Sequence, residues 1–185
     1  MKLHRLTRNL VCTAILAALA LALSALEGIF TPLLPPGVKP GLANIAVMVA
    51  ALLCGAPGAV FIALCKALFA LATRGAVAFL MSLSGGLCAT GLMLLLFYRA
   101  PRVGLAGISV LCALLHNAAQ LTVAALLLGR AVLAYAPLSL LLSVPCGIVT
   151  GAILAVMLGP LGCALSFVAR PEADKNTAEK GNQSS

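Results

Sequence analysis

The chain has 185 residues, 63% of them hydrophobic and 9% charged, with a formal net charge of +8 and a mean hydropathy of +1.16. That balance excludes an ordinary soluble domain and predicts an integral membrane protein. Long unbroken apolar runs exclude the short alternating strands of a transmembrane β-barrel. The cations sit in short segments beside those runs, so they read as topology signals and not as a nucleic-acid surface. Seven cysteines in or beside the apolar runs, with no CxxC pair, read as small core residues and not as a metal or redox site.

The first apolar element covers residues 10–26, behind a basic stretch of residues 1–9. It resembles a signal peptide, and Ala20, Ala22 and Ala25 mimic a small-residue cleavage site. Its length suffices to span and further spans follow, so an uncleaved first helix is expected. Ala14, Ala18 and Ala22 recur every fourth residue as a smooth stripe. Such a stripe suits close packing against another helix, in this chain or in a partner.

Glu27, the one acid outside the C-terminal tail, leads into a loop carrying Pro32, Pro35, Pro36 and Pro40. Those prolines remove backbone donors and disfavour helix before them. The loop holds one cation, Lys39, and enters a second apolar segment, residues 41–54, with Asn44 just inside it. Two roles are open to the loop: a rigid connection between membrane helices, or the cap of a ligand site. The turn GAPG, residues 55–58, precedes a third segment, 59–73, with Lys66 near its middle. The fourth, 76–98, contains SLSGG, and the fifth, 103–128, contains HNAAQ. The sixth, 131–158, is interrupted by Pro137 and Pro145 and carries a GxxxG face of Gly147 and Gly151. An all-α, six-helix polytopic membrane domain over residues 10–168 is expected, followed by a disordered tail, 169–185, without apolar periodicity.

Six crossings place both termini on one side. Lys2, Arg5, Arg8, Arg99, Arg102, Arg170, Lys175 and Lys180 then face Lys39, Arg74 and Arg130 across the membrane. The excess makes the termini cytoplasmic. At about 1.5 Å per residue, Glu27 and Asn44 lie near the outer surface, Lys66 and His116 near the midplane, and Asn117 and Gln120 between. Ser82 and Ser84 enter from outside on the fourth helix, Ser139 and Ser143 on the sixth, and the inner half holds few polar groups besides Thr90, Ser109 and Thr150.

An ionisable side chain inside a membrane costs about 2.5–3.5 kcal/mol on insertion scales, so Lys66 needs a partner or a water-filled cavity. One reading pairs it with Glu27, locking the third helix to the first. The other has Lys66, with Lys39 and Arg74, bind an anionic group of a solute entering from outside. His116 and Gln120, four residues apart, share a helix face, while Asn117 points about 100° away. Bonding between helices and contact with a ligand are both open to them. Ser82, Ser84, Gly85 and Gly86 either loosen the fourth helix at a cavity or pack it closely. No second histidine lies in the spans, so no metal is expected. No nucleophile motif, Walker loop or cofactor fingerprint occurs, so no catalytic residue and no cofactor is assigned.

Four segments carry a resemblance: PPGVKPGLANI (35–45), ALCKALFALATRG (63–75), SLSGGL (82–87) and HNAAQL (116–121). They resemble, in order, the bacterial membrane family labelled Gx transporter or heptaprenyl diphosphate synthase component I, over roughly residues 10–165. That family is similar to the substrate-binding S components of energy-coupling-factor transporters. In those, a six-helix subunit binds a vitamin-like solute on its outer side, under the first loop. The resemblance implies a bacterial cell membrane location, a lid role for the Lys39 loop, and contact of Ala14, Ala18 and Ala22 with a coupling subunit that works with ATPases. The family label implies an alternative, a membrane component beside a prenyl synthase or a flavoprotein of extracellular electron transfer. Catalytic prenyl transfer needs clustered carboxylates to hold magnesium and diphosphate. This chain has four acids, three of them in the tail and none at DDxxD spacing, so it is at most an accessory subunit of such an enzyme.

Overall fold

The computed structural model describes residues 2–30, 41–99 and 104–157, and nearly all of them are helical. The elements are α1 (Lys2–Phe30), α2 (Leu42–Leu53), α3 (Gly55–Arg74), α4 (Ala76–Arg99), α5 (Leu105–Leu128), a 3-10 turn (Arg130–Tyr135) and α6 (residues 136–157). Five stretches are long and apolar enough to cross a membrane: Thr7–Ile29, Gly55–Arg74, Ala76–Phe97, Leu105–Leu128 and Arg130–Met157. The remaining α-helix, α2, has 12 residues, about 18 Å of helix against a hydrocarbon core of about 30 Å. The described residues contain no strand. The chain is an all-α polytopic membrane bundle, as its hydropathy predicts. The loop with Lys39 and the C-terminal tail lie outside the described residues.

Several boundaries differ from the sequence reading, each for a local reason. The first helix runs through the basic start and reaches Phe30, because no residue that breaks a helix occurs before Pro32. Glu27 is therefore inside a helix and not at its edge. The GAPG segment is the first turn of α3, where Pro57 lacks an N–H that has no helical acceptor there anyway. The chain reverses at Cys54 and Gly55, whose φ of +73° disfavours any residue with a side chain. This tight corner folds α2 back along α3. Asn44 lies ten residues before Cys54 and Lys66 twelve after it, which brings the two to one level. The fourth helix is continuous through SLSGG, so that segment packs and does not loosen.

The packing order is α1 on α2 and α3, α3 on α4, and α4 on α5. The buried face of α1 carries Leu16, Ala17, Ala20, Ser24 and Glu27, while Ala14, Ala18 and Ala22 face outward. Large apolar residues such as Leu10, Phe61, Leu126, Leu141 and Val156 are exposed on the outside, a pattern suited to lipid contact and not to water. The GxxxG face of α6 seats it on α5: a Cβ at Gly147 would lie 2.6 Å from Val110 Cα, and one at Gly151 2.7 Å from Ala106 Cα. Backbone atoms cannot step aside as a side chain tip can. Gly147→Ala is therefore expected to destabilise the bundle by about 1–3 kcal/mol. Thermal unfolding in detergent checks this against Gly91→Ala, which has nothing within 4 Å and is expected to be neutral.

Candidate functional site

Polar side chains from five helices converge at the end of the bundle that carries Arg74. Glu27 on α1 is buried, and its Oε1 accepts a hydrogen bond from the Ala43 N–H at 3.0 Å. The first turn of α2 needs such an acceptor, because its N-cap is Gly41, which offers no side chain. A carboxylate there also faces the positive end of the helix dipole. One residue further along, Asn44 Oδ1 accepts from Lys66 Nζ at 2.6 Å. The ammonium therefore makes a contact that neither sequence reading named, while Glu27 stands on the same cavity wall, near enough for its charge to act on Lys66. The ammonium rests on a neutral amide, and the carboxylate is engaged by the neighbouring peptide.

Around these groups lies a cavity of about 20 Å³, lined by Ser24 and Glu27 of α1, Gly41 and Asn44, Lys66 and Arg74 of α3, Ser82 of α4, and His116 and Gln120 of α5. Lys66 is 8% exposed and is the twelfth of the twenty residues of α3. Arg74 is exposed at the rim. With two cations and one carboxylate on its wall, the cavity is net positive. Gln120 Nε2 and His116 Nε2 are 2.9 Å apart. Gly85 lets α4 approach this pair closely, since a Cβ there would lie 2.7 Å from Gln120 Cγ and 2.9 Å from the His116 carbonyl oxygen.

A second cavity of about 30 Å³ shares Gly41, Asn44 and His116 with the first and continues between α2, α4, α5 and α6. Asn117 Nδ2 donates to Ser143 Oγ, which in turn donates to the Ser139 carbonyl at 2.7 Å. At its far end Ser109 and Thr150 hydroxyls meet at 2.6 Å, beside Thr90. From Gln120 to Ser109 this polar seam runs eleven residues of α5, about 16 Å. It is longer than the outer-half cluster the sequence suggests, because Thr90, Ser109 and Thr150 are buried together.

The structure therefore brings together Glu27, Asn44, Lys66, Arg74, Ser82, His116, Asn117 and Gln120. It does not bring Ser84 to either cavity; that hydroxyl donates to the Met81 carbonyl of its own helix at 3.1 Å. Lys39 lies outside the described residues. Ser24, Cys112 and Cys146 line the cavities without having been singled out. Ser139, Ser143 and Gly147 recur every fourth residue, and that period is the signal that marks the inward face of α6. Among the described residues no group of three or more His, Cys, Asp or Glu side chains is placed to hold a metal ion, and Glu27 is the one acid.

Comparison with curated proteins and with solved structures gives no match. The family model for heptaprenyl diphosphate synthase component I matches residues 16–157. That stretch holds α2 to α6 whole, about half of α1 and every described residue of both cavities, so the chain belongs to the heptaprenyl diphosphate synthase component I family.

Proposed function

We propose that the chain is the solute-binding membrane subunit of an uptake system, taking a small anionic solute at the Arg74 end of the bundle. That end faces outward from a bacterial cell membrane, and both termini are cytoplasmic. The observation that carries this reading is the setting of Lys66: a buried ammonium hydrogen-bonded to the neutral Asn44 amide, in a cavity where two cations, Lys66 and Arg74, share one carboxylate that also serves Ala43. A lysine with only a structural task gains more from a carboxylate, which neutralises its charge, than from an amide, which does not. In this reading Asn44 Oδ1 holds the place of the solute's anionic oxygen. Ser82, His116 and Gln120 form the polar wall, and the Lys39 loop is the lid.

Each cavity has room for a water or two. A solute therefore enters as the Lys66–Asn44 and His116–Gln120 contacts open and the two cavities join. The sequence carries no nucleotide-binding motif, so uptake driven by ATP draws on a partner, and the outward Ala14, Ala18 and Ala22 stripe is the surface proposed for a coupling subunit.

A second reading makes the chain a non-catalytic membrane component of a polyprenyl diphosphate synthase, or of a flavoprotein electron-transfer assembly. Its support is the family description and a wholly apolar groove of about 490 Å³ between α1, α2 and α6, lined by residues such as Leu16, Leu23, Val49 and Ile153. Such a groove suits a hydrocarbon chain. Mild-detergent purification of the tagged protein from its native membrane, with mass spectrometry of what accompanies it, separates the two. A coupling subunit with paired ATPases is the expected result. A prenyl synthase or flavoprotein without ATPases would overturn the uptake reading in favour of the second.

A further inference from the structure

Asn117 and Gln120 are 4% and 3% exposed, and each keeps an amide oxygen, Oδ1 and Oε1, with no hydrogen-bond partner among the described residues. The orientation of Asn117 follows from its neighbours. Ser143 Oγ gives its single proton to the Ser139 carbonyl, so toward Asn117 it can only accept. Asn117 must present its NH₂ group there and turn Oδ1 away. Gln120 presents Nε2 to His116 Nε2, the arrangement that goes with the Nδ1–H tautomer of His116, and this leaves Oε1. Asn117 lines the 30 Å³ cavity and Gln120 the 20 Å³ cavity. Three residues apart on one helix, their Cβ atoms are about 5–6 Å apart.

A buried acceptor left unpaired costs about 1–3 kcal/mol. One of the two, on Gln120, lies in the cavity that holds the Lys66 ammonium and the other, on Asn117, in the cavity adjoining it, a surface complementary to something that is an anion at one edge and a donor along another. We infer that the solute carries N–H or O–H groups that meet Asn117 Oδ1 and Gln120 Oε1 while its anionic group meets Lys66. This rests on the anion-binding role proposed for Lys66. It separates solute classes: an anion on a plain hydrocarbon chain leaves both oxygens unpaired, whereas an acid bearing an amide, a heterocyclic N–H or a hydroxyl satisfies them. Sites built to bond an N–H or O–H group reject analogues lacking it by up to about 10⁴–10⁵-fold.

Pyrrole-2-carboxylate and furan-2-carboxylate test this, because they share ring size and carboxylate and differ in a ring N–H against a ring oxygen. Each is titrated into the full-length protein in detergent micelles and followed by ligand-observed NMR. The pyrrole acid is expected to bind wild type at least about ten-fold more tightly than the furan acid. That preference should shrink toward one in Asn117→Leu or Gln120→Met, whichever folds, and both acids should be lost in Lys66→Met. Equal binding of the two acids by wild type, with both lost in Lys66→Met, would mean that water satisfies the two oxygens. That overturns the inference and leaves the anion reading standing. Saturable binding of neither acid, or binding unchanged in Lys66→Met, overturns the anion reading and the inference with it.

Discussion

Lys66→Met is expected to weaken carboxylate binding by about 100-fold while leaving the bundle folded. The loss follows from removing a charge-assisted hydrogen bond and its buried positive charge, together about 2–3 kcal/mol, at about 1.4 kcal/mol per factor of ten. The retained fold follows from shape. Methionine keeps an unbranched stem of similar length in the wall of α3, and it removes an ion whose burial is opposed by desolvation. Replacing a whole buried ion pair with apolar side chains is often neutral or stabilising by about 1–4 kcal/mol, whereas removing one partner of a pair costs about 3–5 kcal/mol. The unfolding measurement therefore reads how far Glu27 depends on Lys66. Glu27 keeps the Ala43 N–H at its Oε1 but loses the nearby positive charge of Lys66. Titration with pyrrole-2-carboxylate and thermal unfolding in the same micelles measure both halves. A large fall in melting temperature would instead make Lys66 a structural member of the bundle.

Asn44→Asp is expected to remove carboxylate binding as thoroughly, by the opposite route. The wild-type amide oxygen is 2.6 Å from Lys66 Nζ, so a carboxylate in its place satisfies the ammonium permanently and repels an incoming anion. It also sits at the third residue of α2, where the helix dipole favours negative charge. The melting temperature should therefore hold or rise while binding disappears. Together the two variants separate the charge from the contact: one removes the cation, the other saturates it, and both should fold. Binding in Asn44→Asp at the wild-type level would place the anion somewhere other than Lys66.

Hydropathy and glycine placement made much of the bundle legible. The order of the six helices follows from the apolar runs, and the α5–α6 contact follows from the four-residue spacing of Gly147 and Gly151. The ends of helices were less legible, because a basic start does not stop a helix and Pro57 is tolerated in a first turn. Membership in the polar cluster was partly visible from depth along each helix, which places Glu27 and Asn44 near the outer surface and Lys66 and His116 near the midplane. Partner choice was not. That Lys66 bonds Asn44 depends on how the corner at Gly55 folds α2 onto α3, and that Glu27 accepts from Ala43 depends on the bare start of α2, and neither is a property of local sequence. Ser84 shows the same limit. It shares a segment with Ser82, but two residues of helix turn it about 200° around the axis, away from the cavities.

The most direct test is to purify the protein from its native membrane, denature it, and identify by mass spectrometry the small molecules it releases, beside Lys66→Met prepared identically. An anionic solute bearing N–H or O–H groups, released by wild type and missing from the variant, is the predicted result. Matching profiles from the two proteins, with lipid alone in both, would contradict a solute site at Lys66.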